Sequence, residues 1–552
     1  MKMKRLEVLG FVLIVLISLV FDFLYFNYTT DDAFISFRYA KNLAEGKGLV
    51  FNAGERVEGY TNFLWTILMT PAFLLKVDIL IWHKIIGIIF SVLTLFFLWR
   101  TGSKILGLMK SSLPTTFALI PPLLLALIPS YAIYTVNGME NPLFTFLLTL
   151  FVYFFVEENR GFASGLVAGL LSLTRPEGMM FFALGVLVAL FYRRKGNYFS
   201  NLFWSYLAVV IPFVIFRAGY YSDIFPNSFY AKLGVPAWLR IKSWGKGYLV
   251  GLFRVYPYTI FVWAAIIVVP LLFNKGSLFL FPFFGFFGFM LYSVYAGGDM
   301  FPYFRFFALV LPLGALSILG GLVYLFADTK TLKQIHYAFL ILALLVWGGL
   351  LVRVGVQNFR ELNRIVEYKP FRTRPLAAHW DFWVSIGERL KEILPKGSTV
   401  VVQDVGAIPF YSELNIIDPI GLVDSTLAHF FFRERYNDYY QGYLSFETCS
   451  RVHKFVRDYI LEHRKPEAIL YHVDSRDCND LSISFHYHYL YIDPRFLSDY
   501  KEHTRFENPE KKCVYILYVR SSSSVPAQTP EITTPTIERQ RVPKRSKSYI
   551  LY

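Results

Sequence analysis

The chain has 552 residues, 55% hydrophobic, 19% aromatic and 17% charged, whereas an ordinary soluble domain carries about 25% charged residues. A single soluble globule is therefore excluded: up to about Arg353 long apolar runs alternate with short polar ones, and only Glu361–Arg520 reads as water-soluble protein. The net charge of +15 gathers at the ends of apolar runs and in the last dozen residues rather than in a basic stripe, which marks membrane topology and excludes nucleic acid as a partner.

Met1-Lys-Met-Lys-Arg5 followed by Leu6–Phe21 resembles a signal peptide. It has no small-residue cleavage site and stays apolar through Phe23–Phe26, so an uncleaved first span is expected. A spanning helix needs about 20 apolar residues. Candidates are 6–26, 79–99, 115–135, 141–156, 161–175, 177–192, 200–219, 255–273, 277–296, 305–326 and 335–352, about eleven spans in all. If Tyr60–Leu75 does not cross, Met1–Arg5, Arg100–Lys110, Glu157–Arg160, Arg193–Lys195, Asn274-Lys275 and Asp328–Lys333 face the cytoplasm, and nearly all carry Lys or Arg. Segment 60–75 is then a re-entrant or interfacial helix buried against protein. This topology expects an integral protein of the cytoplasmic (inner) membrane. The outer side holds Asn27–Gly59, Asn137–Asn141, Arg175–Gly178, Tyr220–Lys246, Gly297–Arg305 and the soluble domain, so the chemistry is extracytoplasmic.

The first outer loop begins Thr30-Asp-Asp-Ala-Phe-Ile-Ser-Phe-Arg-Tyr-Ala. Thr30 or Asp31 can cap a helix whose apolar residues Phe34, Phe37, Leu43 and Ala44 suit a membrane interface, and Gly46 and Gly48 end it. The chemical reading rests on paired carboxylates, Asp31 and Asp32, at the membrane surface. One can accept the proton of an acceptor hydroxyl attacking an anomeric carbon, or both can hold a divalent cation (Mg, Mn or Ca) over a phosphate leaving group. Glu55, Arg56, Glu58, Tyr60 and Asn62 follow as a dense set of hydrogen-bonding groups of the kind a sugar site needs.

Further outer motifs carry charge between apolar runs. Glu140 lies in Asn137-Gly-Met-Glu140, where a carboxylate near hydrocarbon is costly without a partner or a role. Arg175 and Glu177 share one turn, and either pair with each other or present Arg175 to a donor phosphate. Asp299 and Arg305 flank a turn rich in aromatic residues that can stack on a sugar or a prenyl chain. Loop 220–246, with Asp223, Asn227, Tyr230, Lys232 and Trp238, is long enough to cover a site and also reads as an interfacial aromatic belt.

The soluble half is expected to be a small α/β domain: a helix over Ala378–Ile393, a strand over Ser398–Gln403, a strand ending at Ile416–Asp418 and a closing strand over Cys513–Val519. Asp404 and Asp418 stand at strand ends, where they either face a site or cap the chain. Cys449, Cys478 and Cys513 allow at most one internal disulfide. His472, His486 and His488 lack the further ligands of a zinc site. The division expected is a membrane catalytic domain over 1–355 with its acidic first outer loop 27–60, a soluble domain over 356–520, and a disordered Ser/Pro/Thr-rich tail with a basic end over 521–552.

The run Asp31-Asp-Ala-Phe-Ile with Phe37-Arg38-Tyr-Ala, and then Phe51-Asn-Ala-Gly-Glu-Arg-Val-Glu-Gly-Tyr-Thr-Asn-Phe-Leu-Trp65, resembles the bacterial GT-C glycosyltransferases. More narrowly, it is similar to the terminal arabinofuranosyltransferases of mycobacterial arabinan. The resemblance touches Asn137–Asn141, Thr174–Gly178, Gly297–Met300, Gln403–Ala407 and Ile417–Leu422. It implies a multi-span α-helical fold with a polyprenyl-phosphate sugar donor and a catalytic acid in the Asp31/Asp32 pair; a glycan or glycolipid acceptor at the lipid bilayer is the expected partner. Arg38 is expected in the substrate site with Glu55, Arg56, Glu58, Tyr60 and Asn62. A flippase of lipid-linked saccharides is the alternative. It predicts charges inside spans and repeated halves, whereas the charges here cluster in outer loops and no repeat is found. A membrane-anchored sensor would need far fewer spans.

Overall fold

The structure is a computed structural model that describes residues 5–109, 111, 113–157, 159–191, 196–255, 280–298, 301, 303–325, 377–437, 444–474, 488–508 and 513–523. The expected span 335–352, nearly all of 255–273, Asp299, Cys478, His486 and the tail lie outside the described residues. The first ten helices are α1 (Arg5–Leu24), α2 (Ala33–Ala44), α3 (Phe63–Leu74), α4 (Ile79–Leu108), α5 (Ile120–Ala126), α6 (Pro129–Val136), α7 (Asn141–Phe155), α8 (Gly161–Thr174), α9 (Gly178–Phe191) and α10 (Tyr198–Tyr221). Helices Leu280–Ala296 and Arg305–Leu325 follow.

Among the described residues, α1, α4, α10 and the helix from Arg305 are each long and apolar enough to cross a membrane. α4 runs 30 residues, about 45 Å. It therefore extends past the expected boundary at 99, and Arg100 and Lys104 sit in its last turns rather than in a loop. Lys104 pairs there with Glu157. The expected span 115–135 is broken, with Thr115–Ala126 and Pro129–Val136 meeting at 66°. Pro129 is the cause: it lacks an N–H and holds Ile128 extended, at φ −89° and ψ 121°. α7, α8 and α9 form where 141–156, 161–175 and 177–192 were expected, with 15, 14 and 14 residues. α3, within the 60–75 segment, has 12 residues and, like α7–α9, is shorter than a full span needs.

Gly161, Gly165 and Gly169 recur every fourth residue on the α8 face that meets α10. A side chain at Gly165 would strike the Leu202 carbonyl and Ser205, so the backbones approach as closely as small residues allow.

The soluble domain is built on a five-stranded sheet in the order β2-β1-β3-β5-β4. The strands are β1 (Thr399–Val401), β2 (Asn415–Ile417), β3 (Ala468–Asp474), β4 (Tyr500–Asn508) and β5 (Cys513–Arg520). β1 runs parallel to β2 and β3, while β5 is antiparallel to β3 and β4. One sheet face, with Val400, Val402, Ile416 and Leu470, shares a single core with Ile35, Tyr39, Phe51 and Tyr60 of the first outer loop. The sheet and that loop are thus one packing unit.

This packing corrects the expectation for α2. Its apolar face does not lie in the lipid interface. Phe34 and Phe37 are fully buried, and Phe34 sits 5.4 Å from the Phe410 ring and 5.7 Å from Tyr411. Burial against protein aromatics replaces burial in lipid.

Candidate functional site

Polar side chains of the first loop fasten it to the soluble domain. Arg38 donates to the carbonyls of Phe51 (2.8 Å), Pro409 (2.5 Å) and Leu414 (2.6 Å), and burial lowers its pKa to about 10. It is therefore a tie between the two parts rather than an open substrate group. The Asn52 amide gives to the Ile416 carbonyl at 2.8 Å and takes from its N–H at 3.0 Å, completing the free edge of β2 as a further strand would. Glu55 accepts from Arg464 at 2.9 Å, and Lys41 pairs with Glu413 at 2.5 Å. Loop 220–246 covers the same seam. Asn227 donates to the Gly421 carbonyl at 2.7 Å, and Asp223 contacts His429 at 2.9 Å.

Asp31 lies at the centre of this seam. α2 begins at Ala33, and its capping position, Asp32, makes no side-chain cap hydrogen bond. Neither Thr30 nor Asp31 caps α2. Instead the Asp31 Oδ1 accepts the Ala407 N–H at 2.8 Å, capping the helix Ala407–Ser412 of the soluble domain. The capping position of that helix is Gly406, and a Cβ there would overlap the Asp31 carboxylate. Burial raises Asp31 well above the ordinary carboxylate range, the Ala407 N–H opposes this, and the charges of Asp404 and Asp32 push it further up. A raised pKa makes its carboxylate a stronger proton acceptor than an exposed aspartate.

Asp404 approaches from the carboxyl end of β1, the edge where α/β sheets gather ligands. Its Oδ2 accepts the Tyr515 hydroxyl at 2.5 Å, Tyr515 in turn accepts from the Trp383 indole at 2.7 Å, and His472 stacks on Tyr515 at 4.5 Å.

A second group of residues runs inward from the same loop. Asn62 donates to Glu140 at 2.8 Å, Glu140 pairs with Arg175, and Arg175 holds Glu177 at 3.0 Å. Glu177 meets the Tyr292 hydroxyl at 3.5 Å. Burial alone would raise Glu177, but Arg175, with Arg305 beyond it, brings it below the usual range. Arg305 reaches the Met139 sulfur at 3.5 Å and covers the Phe301 ring at 4.3 Å. The turn Asn137–Glu140 joins the two groups, because the Thr30 N–H donates to the Asn137 carbonyl at 2.9 Å. Lys84 binds the carbonyls of Tyr28 (3.0 Å) and Val136 (3.1 Å) beneath it.

The expected residues thus fall into clear places. Asp31 feels the charges of both Asp32 and Asp404; Asn62, Glu140, Arg175, Glu177 and Arg305 form one network. Glu58 lies apart, paired with Arg217 at 2.7 Å, and burial raises it to about 7. Arg56 stacks over Tyr220 and Tyr60 meets the Tyr221 hydroxyl at 3.0 Å. Asn52, Lys84, Gly406 and Ala407 were missed. Only the Asn-Ala-Gly turn and the glycine after Asp404-Val hinted at two of them. Among the described residues no three His, Cys, Asp or Glu side chains converge as a metal cage would need.

Asp418 is fully buried and accepts from the N–H groups of Ile420 (2.9 Å), Leu422 (2.5 Å) and Val423 (3.1 Å), so it organises its own loop. Burial pushes it up to about 7 against those donors. A folded pKa above the unfolded value of about 4 means a contribution present at low pH and lost as pH rises through about 7. Asp418→Asn removes the titration. The drop in thermal midpoint between pH 5 and pH 8 is expected to be smaller in the variant than in wild type.

Residues 373–525 match a protein family described as a domain of unknown function, DUF8728. No curated protein matches the chain. Solved structures do. ArnT from Cupriavidus metallidurans bound to undecaprenyl phosphate aligns with a TM-score of 0.55 and 12% identity over 94% of this chain and 99% of that one. An oligosaccharyltransferase of Archaeoglobus fulgidus in its apo form aligns at 0.52 and 12%, over 95% of this chain and 75% of that one. The chain has this GT-C membrane fold, helical with a small sheet domain at its C-terminal end.

Proposed function

We propose that the chain is a membrane glycosyltransferase that moves a sugar, a pentofuranose by the sequence resemblance, from a polyprenyl-phosphate donor to a glycan or glycolipid acceptor of the cell envelope. The observation that carries this reading is Asp31: a carboxylate of raised basicity at the seam between membrane helices and soluble domain, in a fold shared with a structure holding undecaprenyl phosphate.

The acceptor hydroxyl oxygen attacks the anomeric carbon, and its proton passes to Asp31. The bond from that carbon to the phosphate oxygen breaks, and its electron pair leaves with the polyprenyl phosphate. Arg305, over the Phe301 ring, supplies positive charge for the departing phosphate, while Arg175 is held by Glu140 and Glu177. The positive-inside pattern of the sequence supports an extracytoplasmic site at the inner membrane.

The test is transfer in reconstituted membranes from a panel of polyprenyl-phosphate sugars, with and without EDTA. Transfer from at least one donor is the expected result, and loss with chelator would favour a cation role for Asp31 and Asp32. Absence of transfer with every donor, alongside flipping of a lipid-linked saccharide, would overturn the reading in favour of a flippase.

A further inference from the structure

The soluble domain does more than cover the site. We infer that its Gly406–Ala407 peptide is a positioning group for Asp31, so that the carboxylate is correctly aimed only when the soluble domain is docked.

Three observations carry this. The Asp31 Oδ1 accepts the Ala407 N–H at 2.8 Å, across 376 positions of sequence. The position that would ordinarily cap the helix Ala407–Ser412 is Gly406, which has no side chain, and any Cβ there would occupy the space of the Asp31 carboxylate. The peptide is itself held rigidly to the first loop: Arg38 grips the Pro409 and Leu414 carbonyls, Phe410 packs on Phe34, and Lys41 pairs with Glu413. A carboxylate fixed by neutral peptide N–H groups, Ala407 foremost with Gly406 beside it, keeps its remaining lone pairs for a substrate proton while losing its rotational freedom. The charged groups beside it are Asp32 on its own loop and Asp404, with Tyr515 and His472, from the sheet.

Ala407 is the first residue of its helix, where a missing N–H costs the helix nothing, so Ala407→Pro deletes this N–H; because Ala407 is fully buried and Gly406 lies at ψ −102°, outside the extended range a following proline favours, the thermal midpoint is measured as the control for wider change. The inference rests on the glycosyltransferase reading, and the experiment separates the two. Transfer is measured for wild type, Ala407→Pro and Ala407→Gly, the last keeping the N–H. Ala407→Pro is expected to lower kcat about 10–100-fold, with KM near wild type and a loss of kcat larger than any fall in thermal midpoint accounts for, and Ala407→Gly to recover most of that loss. Equal kcat in the two variants, or loss of kcat only in step with the thermal midpoint, would overturn the positioning role while leaving the activity in place. Hydrogen exchange over residues 404–410 judges the contact without any assay of activity. Asp31→Ala is expected to speed exchange there and Asp32→Ala to leave it unchanged; no acceleration in Asp31→Ala would also overturn the inference.

Discussion

Asp31→Asn is expected to reduce transfer by about 10²–10⁴-fold while leaving the protein folded, with a thermal midpoint close to wild type. Asparagine keeps an oxygen that can accept the Ala407 N–H, so the contact at 2.8 Å survives and the seam stays closed. What it loses is the capacity to take a proton. The same substitution at Asp32 is expected to cost far less. Asp31 is gripped by the soluble domain and lifted in basicity by burial and by Asp404. Initial rates from the donor panel, with unfolding followed in the same detergent, decide the matter. Unimpaired transfer by a folded Asp31→Asn protein would remove the proton-transfer role altogether. Loss in Asp32→Asn instead would move it one residue along.

Why the sequence reveals one part of this arrangement and hides another has a physical reason. Hydropathy, Pro and Gly act locally. The helices of the membrane half, the α/β character of the soluble half and the charged outer turns follow from windows of a few residues. Pro129 is instructive: it acts locally on Ile128, yet 115–135 was expected as a single span and is bent by 66° there. Amphipathicity told that the Phe34 and Phe37 face of α2 must be buried, but not whether lipid or protein would bury it. The contacts made by Arg38, Asn52 and Asp31 join positions more than 360 apart. A single sequence holds no pairing information at that distance, so a buried Arg38 bound to backbone carbonyls looks the same as one awaiting a substrate. Asp404 was visible because the end of a short strand is a local feature. Gly406 was not, because its meaning depends on the carboxylate that fills its place.

The second large effect is one of stability. Arg175→Met is expected to destabilise the protein by about 3–5 kcal/mol, the order found when one partner of a buried ion pair is removed. Arg175, Glu140 and Glu177 are all nearly inaccessible, and the guanidinium donates to both carboxylates. Removing it strands two buried acids, each costly to keep ionised away from water. Glu177 gives the sign of the pH dependence. Its folded pKa lies below the ordinary value, so its pairing stabilises above the unfolded carboxylate pKa and fades as pH falls through the folded one. In Arg175→Met that depression disappears, and the variant's deficit relative to wild type is expected to shrink in acid. Adding Glu140→Gln should return part of the loss, because one stranded acid is replaced by a neutral amide that still meets Asn62. Midpoints of the two variants and wild type at pH 5 and pH 7.5 give the answer. A single variant as stable as wild type would mean that Arg175 is not the group holding these carboxylates, and its charge would then be available to a donor phosphate, as the sequence alone allowed.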